Sequence, residues 1–540
     1  MKLIIYLFFS YMITISTVFT SCKANKDHEV GHAYLEDTTY INPVIKGFYP
    51  DPSICRKNND YYLVTSSFEY FPGVPVFHST DLVNWEQVGY ALTRKSQLNL
   101  DDVSTSGGIW APAIRYHKGV FYLITTVMHA GKNFIVTAEN PAGPWSEPVN
   151  IDIQCIDPSL FFDDDGKVYF TGNTPWDGRP TGIYQAEIDI ATGELLTDYK
   201  KIWDGTGGRH PEGPHLYKIN DYYYLMIAEG GTEAGHMETI ARSKSPWGPF
   251  EECPHNPVLS NRDEAHNNVQ NTGHGDLIEG PGGKWWMVHL AVRSVGRYHH
   301  LGRETFLAAV DWDEDGWPVV NQNGTSSIHM HPVPPAPQIT KDLNRNFQFE
   351  DTVLPLDFNY IRNPHSNMYS LTSREGYLAL SPSQISLDSL GSPTFIGVRQ
   401  RDFNVEATTR LLFNPDEGSE AGMVAFMNNE HYYSISLSVE NGQYFMMASM
   451  KMGKVKHHSQ KVPVSSNEIW LKISGDKYMY RLYFSQDGDT WEIVAENSTR
   501  YLSSEVAGGF TGTYLGLFAA KVNKSGGAKA YFDYLDILYK

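Results

Sequence analysis

The sequence predicts an all-β protein: a five-bladed β-propeller followed by an antiparallel β-sandwich. Three observations lead there. The first is composition. Among 540 residues are 33 Tyr, 26 Phe and 12 Trp, with 46 Gly and 30 Pro. That mixture suits short strands joined by tight turns and argues against a coiled coil, a helical bundle or a disordered chain. The second is an internal repeat. YPDPSICRKNNDYYLVTSS (49–67), IWAPAIRYHKGVFYLITTV (109–127), CIDPSLFFDDDGKVYFTGN (155–173) and PEGPHLYKINDYYYLMIAE (211–229) share one pattern, with a looser copy in TGHGDLIEGPGGKWWMVHLA (272–291). Each sets a polar residue beside Pro or Gly, then apolar positions, a turn and an aromatic-rich return strand, which is how a β-hairpin is written. The third is a unit that recurs between these hairpins: FHSTDLVNWEQVG (77–89), VTAENPAGPWSEPV (136–149), YQAEIDIATGELL (184–196) and ARSKSPWGPFEE (241–252). Two hairpins make a four-stranded blade, and repeats about 45–65 residues apart match propeller blades carrying loop insertions. Five blades fill residues 42–330. A sandwich with irregular strand spacing suits the composition but not this register.

The rest of the chain divides by composition as well. Residues 1–21 open Met1-Lys2 and continue LIIYLFFSYMITISTVF, a positive start and an apolar run that read as a secretory signal. Phe19-Thr20-Ser21-Cys22 resembles a bacterial lipobox, so Cys22 is expected to carry lipid, with 22–41 as a polar tether. The expected location is the bacterial cell envelope, lipid-anchored and facing the periplasm, with the cell surface as the alternative and the membrane touched only through that anchor. No second apolar run approaches the roughly 18 residues a span requires. Residues 331–344 begin HPVPPAPQITK, a stiff Pro-rich linker. From 345 to 540 the chain alternates again (YYSISLSV, YFMMASMKM, EIWLKISG, YMYRLYFS) and closes with AKAYFDYLDILYK. That region reads as a two-sheet sandwich that packs on the propeller and shapes the rim of its pocket. Without Cys22, three Cys remain (Cys55, Cys155 and Cys253), without zinc-like spacing, and they read as small buried residues.

Charge narrows the function. The chain holds 43 basic and 62 acidic residues, a net charge of −19, which excludes a nucleic-acid or anionic-membrane surface as the main partner. A neutral polysaccharide fits better, with aromatics as stacking surfaces. The first strand of a propeller blade lines the central channel, so equivalent residues at its start converge. Those positions hold Asp51, Ala111, Asp157, Glu212 and, approximately, His274. A lone Asp-Pro is an ordinary turn starter, but three acids at one point of a repeat form a pocket of like charges. Such carboxylates cannot all ionise at their usual pKa. An acid held beside a base is the equipment of glycosidic hydrolysis. Calcium is the competing use of clustered carboxylates; DDDGK (163–167) sits in a hairpin turn and reads as turn chemistry.

NPVIKGFYPDPSI, SSFEYFPGVPVFHSTDLVNW, GGIWAP, IDPSLFFDDDGKVYF, EGPHLY, AEGGTEAGHMETIARS, GHGDL and LGRETFL occur in order across about 42–320. Together they resemble glycoside hydrolase family 43, and most of all its β-xylosidase and α-L-arabinofuranosidase members. The resemblance implies hydrolysis by single displacement with inversion. It gives Asp51 the general-base role, Glu212 the general-acid role, and Asp157 the task of tuning and orienting that acid. It makes Arg303 a contact to sugar hydroxyls, Phe68 and Trp110 pocket walls, and His274 an axial residue that in some relatives helps hold a channel ion or water. No cofactor is required by this chemistry; a structural calcium near His274 is a further expectation. The expected substrates are hemicellulose-derived oligosaccharides (arabinoxylan, xyloglucan or arabinan) from which an exo-acting enzyme releases terminal α-L-arabinofuranose, with β-1,4-xylosidase or dual activity as the alternative. A lipoprotein that binds sugar without cleaving it is the remaining reading, and the intact acid set speaks against it.

Overall fold

Strand alternation and turn chemistry along the chain produce five antiparallel sheets in a row. The computed structural model describes residues 40–173, 178–330, 337–339, 341–522 and 527–540. The leader, Cys22 and nearly all of the tether lie outside the described residues, as does part of the Pro-rich linker. The first blade is built from Ser53–Lys57, Asp60–Val64, Gly73–Ser79 and Glu86–Leu92. The second runs from Ile109–His117 outward to Val149–Ile151, the fourth from Glu212–Ile219 to Glu251–Glu252, and the fifth from Val269–Glu279 to Pro318–Val320. The third starts at Ile156–Phe162 and carries an extra short strand on its outer edge. Each innermost strand packs beside the innermost strands of the blades before and after it, and that of the first blade meets that of the fifth. The ring is therefore closed. Tyr40–Ile41 pairs antiparallel with His329–Met330, bringing the two ends of the propeller together.

The sandwich consists of two nine-stranded sheets. Val405–Phe413 alternates buried and half-exposed residues along its whole length, the period of a strand with one face on a core. Leu411, Met423, Tyr433, Leu471 and Leu517 meet in that core. One edge of the sandwich is completed by the propeller itself: Tyr70–Phe71, from a loop of the first blade, pairs with Phe358–Ile361. Phe48, Phe68 and Tyr70 of the propeller share a buried cluster with Ile361, Phe395 and Tyr514 of the sandwich. Tyr70 stacks on Tyr514 with ring centroids 4.0 Å apart. Arg362 is fully buried at this junction and donates to the Val103 carbonyl at 2.6 Å and the Gly391 carbonyl at 2.9 Å. Propeller and sandwich thus share apolar surface and buried polar bonds rather than a loose linker contact. Cys55, Cys155 and Cys253 are buried. Among the described residues no helix is long and apolar enough to cross a membrane.

Candidate active site

Four of the five inner strands share one irregularity, and it builds the site. Pairing slips by one residue between Trp110 and Ala113, Ile156 and Ser159, Glu212 and His215, and Gly273 and Asp276. These are β-bulges, which re-aim side chains at the end of a strand. Inside them Asp157 and His274 take positive φ of 51° and 53°, and Asp51, just before the first inner strand, takes 54°. Non-glycine residues adopt that conformation at a cost and mostly at functional positions. The register corrects the sequence alignment: the residue equivalent to Asp51, Ala111, Asp157 and His274 in the fourth blade is Gly213, with φ of 58°. Glu212 stands one step earlier, at the position that holds Trp110 in the second blade. Glycine suits this position, since a Cβ there would stand a tight 3.1 Å from the His274 ring.

Asp51 is buried and fully engaged. Arg303 donates to its two oxygens at 2.8 and 3.3 Å, and the Ser66 hydroxyl donates at 2.6 Å. Burial pushes this carboxyl up, but Arg303, His274 and Ser66 outweigh it and hold Asp51 below the ordinary aspartate value. Arg303 is brought there by blade closure: the Tyr49 N–H donates to the Arg303 carbonyl at 3.1 Å, and the Thr305 hydroxyl donates to the Tyr49 carbonyl at 2.7 Å. Asp157, also buried, lacks a guanidinium and accepts from the Gly213 N–H at 3.3 Å. Burial, with Glu212 and Asp51 as like charges, lifts it to about 7 against the pull of His274. Glu212 is half-buried and is likewise raised to about 7, by burial first and then by the charge of Asp51, with Arg303 opposing. Two like charges therefore bear on Glu212: Asp51, and Asp157, whose own carboxyl is pushed up by Glu212 in turn. Near neutral pH the pocket holds an ionised Asp51 and a Glu212 that keeps its proton about half the time, and increasingly so as pH falls below 7. That division suits one group to activate water and the other to donate a proton.

Aromatic side chains gather beside Arg303. Phe68 has φ of 48° and exchanges backbone hydrogen bonds with Ile109, which locks it beside Trp110. The Trp110 indole donates to the Ser106 carbonyl at 2.8 Å. Phe510, from the sandwich, packs edge-on against Trp110 at 5.5 Å, and Arg303 lies 5.5 Å from its ring. Sequence periodicity passes over Phe510 because it belongs to no blade; its flag is an aromatic in a run of glycines, GGFTG (508–512). Thr232, which accepts from Arg303 at 3.0 Å, and the buried neutral His236, whose Nδ1–H donates to the Asn271 carbonyl at 3.0 Å, lie within AEGGTEAGHMETIARS but had no assigned role there. Glu238, also in that segment, accepts from the Gly275 N–H at 2.8 Å and so holds the bulge that carries His274.

The expected calcium does not find a donor set. Among the described residues no three His, Cys, Asp or Glu side chains are grouped to hold a metal ion. A single imidazole is a poor ligand for a hard cation that wants six or more oxygens. Asp163 of DDDGK instead accepts from Lys218 at 2.9 Å and Tyr223 at 2.8 Å, joining the third and fourth blades.

A five-bladed propeller that gathers one ionised and two protonatable carboxylates beside an arginine and a group of aromatics is the equipment of a glycoside hydrolase. The chain belongs to glycosyl hydrolases family 43, whose description it matches over residues 40–318, and residues 346–538 match the beta xylosidase C-terminal concanavalin A-like domain. It is 42% identical over 511 residues to the non-reducing end alpha-L-arabinofuranosidase BoGH43B of Bacteroides ovatus, covering 93% of this chain and 95% of that one. It is 40% identical to a xylosidase/arabinosidase of Butyrivibrio fibrisolvens, covering 91% and 98%. The solved structure of xylan beta-1,4-xylosidase from Bacillus halodurans superimposes with a TM-score of 0.86 at 34% identity, covering 92% of this chain and 99% of that one.

Proposed function

We propose that the protein is an exo-acting, inverting α-L-arabinofuranosidase that removes terminal arabinofuranose from hemicellulose-derived oligosaccharides. The observation that carries the mechanism is the charge division in the pocket. Asp51, held ionised by Arg303, accepts a proton from water as that water attacks the anomeric carbon. Glu212, held protonated by burial and by Asp51, donates its proton to the leaving oxygen. Asp157 orients the fourth-blade bulge through its bond from Gly213. Arg303 and the walls Phe68, Trp110 and Phe510 fix the sugar. Inversion requires the acid and the base to stand about 6.5–9.5 Å apart so that a water fits between them. A pocket rimmed by an aromatic of the sandwich favours a chain end over an internal bond. The arabinofuranoside reading is supported by the 42% identity to an α-L-arabinofuranosidase.

A second reading, β-1,4-xylosidase or dual activity, is favoured by the 40% identity to a xylosidase/arabinosidase. Both pentoses present similar hydroxyls to one pocket. We further propose that the protein is exported and lipid-anchored at Cys22, from the Phe19-Thr20-Ser21-Cys22 junction. Side-by-side assays on nitrophenyl α-L-arabinofuranoside and β-D-xyloside test the substrate. Faster cleavage of the arabinofuranoside supports the first reading, faster cleavage of the xyloside replaces it with the second, and hydrolysis of neither removes both.

A further inference from the structure

Beyond the catalytic pocket, the loops of the fourth and fifth blades and the facing edge of the sandwich enclose a cleft of about 1650 Å³. Thr232, Arg303 and Phe510 line it, so it opens directly from the sugar pocket. Thr232 follows the fourth blade's second strand, and that blade also carries Glu212, past which the leaving part of a substrate must depart. One pentose needs far less room; even drug-sized ligands occupy about 300–1,000 Å³. The two walls are fixed to each other. His299 donates its backbone N–H to Glu505 at 3.1 Å and pairs with it through Nδ1 at 2.5 Å. Thr513 donates twice to the His300 carbonyl, from its N–H at 2.9 Å and its hydroxyl at 2.8 Å. On the sandwich wall Thr499 is tied to the backbone of Lys477 and Tyr478 at 2.9 Å each. The cleft is preformed.

Its charge is unlike that of the rest of the chain. Arg297, Lys477 and Arg500 line it, and among the described residues none has a carboxylate partner. Lys477 has the face of Phe403 at 5.8 Å, and Arg500 has Tyr501, whose hydroxyl it meets at 2.9 Å. The cleft's own acids are engaged, Glu505 by His299 and Glu233 by Arg209 at 3.1 Å. In a protein of net charge −19, three cations left without acids around one cavity make a site for an anion. Tyr478, 66% exposed on the same wall, offers a face on which a sugar ring stacks.

We propose that this cleft binds the glycan chain that bears the cleaved pentose and selects chains carrying a uronic-acid carboxylate. The inference rests on the glycosidase reading above. The test compares kcat/KM on an arabinosylated xylo-oligosaccharide with and without one glucuronic acid substituent. Wild-type protein should favour the acidic substrate by about tenfold, the effect of one charge-assisted hydrogen bond, and 0.5 M NaCl should shrink that preference. In the variant Arg297→Gln/Lys477→Gln the acidic-to-neutral ratio should fall close to one. A ratio of one in the wild type, or an unchanged ratio in the variant, overturns the proposal. If the wild type cleaves neither substrate, the glycosidase reading has failed instead, and calorimetry with a glucuronic-acid-bearing xylo-oligosaccharide decides for the cleft alone. Binding that the double substitution abolishes supports the site; no binding overturns it.

Discussion

Replacing Arg303 by Met should change the shape of the pH profile and not merely its height. Arg303 makes two hydrogen bonds to Asp51, at 2.8 and 3.3 Å, and its charge heads the influences that counter the effect of burial there. Asp157 shows how a carboxyl in this pocket titrates without that charge. It is buried beside Asp51, faces His274 and like charges, has no guanidinium, and stands at about 7. Asp51 in the variant should rise from below its ordinary range to well above it, because burial then acts without the opposing charge of Arg303. Glu212, which Arg303 holds down, should move up as well, so the whole bell travels toward alkaline pH. Between pH 7 and pH 5 wild-type kcat/KM should change by about twofold, while the variant should fall steeply over the same range as Asp51 takes up its proton. The assay is kcat/KM on a nitrophenyl pentoside from pH 4 to 9, with Ser66→Ala as a smaller perturbation of the same carboxylate. A variant profile that is lower but unchanged in shape would refute the reasoning, because Arg303 would then bind sugar without setting the charge of the base.

Asp157→Asn should stabilise the fold in a pH-dependent way. The native carboxyl is raised to about 7, so the unfolded chain gives up this proton first and wild-type stability falls as pH climbs from about 4 to 7. The variant should match wild type at pH 4 and exceed it by on the order of 2–4 kcal/mol above pH 7; an equal gain at every pH in thermal melts would assign the effect to packing. Glu212→Ala should lose about 10²–10⁴-fold on a natural disaccharide but much less on a nitrophenyl glycoside, whose leaving group departs with little protonation. Equal losses on both substrates would remove Glu212 from the proton-donor role. Cys22→Ala should abolish incorporation of labelled lipid and release the protein from membrane fractions, and unchanged membrane association would discard the lipobox.

The blades were readable because a propeller writes the same hairpin five times, and five imperfect copies are easier to recognise than one good one. Asp51 and Asp157 came with that pattern, since both precede a Pro at the start of an inner strand. Glu212 came slightly out of register, because the fourth blade spends the equivalent position on Gly213 to make room for His274. A one-residue bulge of this kind leaves no mark in hydrophobic periodicity. The pairing of Arg303 with Asp51 joins residues 252 apart and depends on closure of the ring, so the sequence offered Arg303 only as a sugar contact, through a motif resemblance, and not this pairing. Phe510 was not readable from the repeat at all, because it arrives from a different domain through a glycine-rich loop. The added influence of Asp51 on Glu212 was not readable for a related reason: it depends on side-chain placement across blades.

The configuration of the first-formed sugar tests the central claim most directly. An ionised Asp51 activating water while a protonated Glu212 releases the leaving oxygen is a single displacement, and one displacement inverts the anomeric centre. Proton NMR of a nitrophenyl α-L-arabinofuranoside or β-D-xyloside digest, recorded in the first minutes before mutarotation, should show the anomer opposite to that of the substrate. If the first-formed sugar keeps the substrate's configuration, a covalent intermediate has formed, and the assignment of Asp51 as base and Glu212 as acid is wrong.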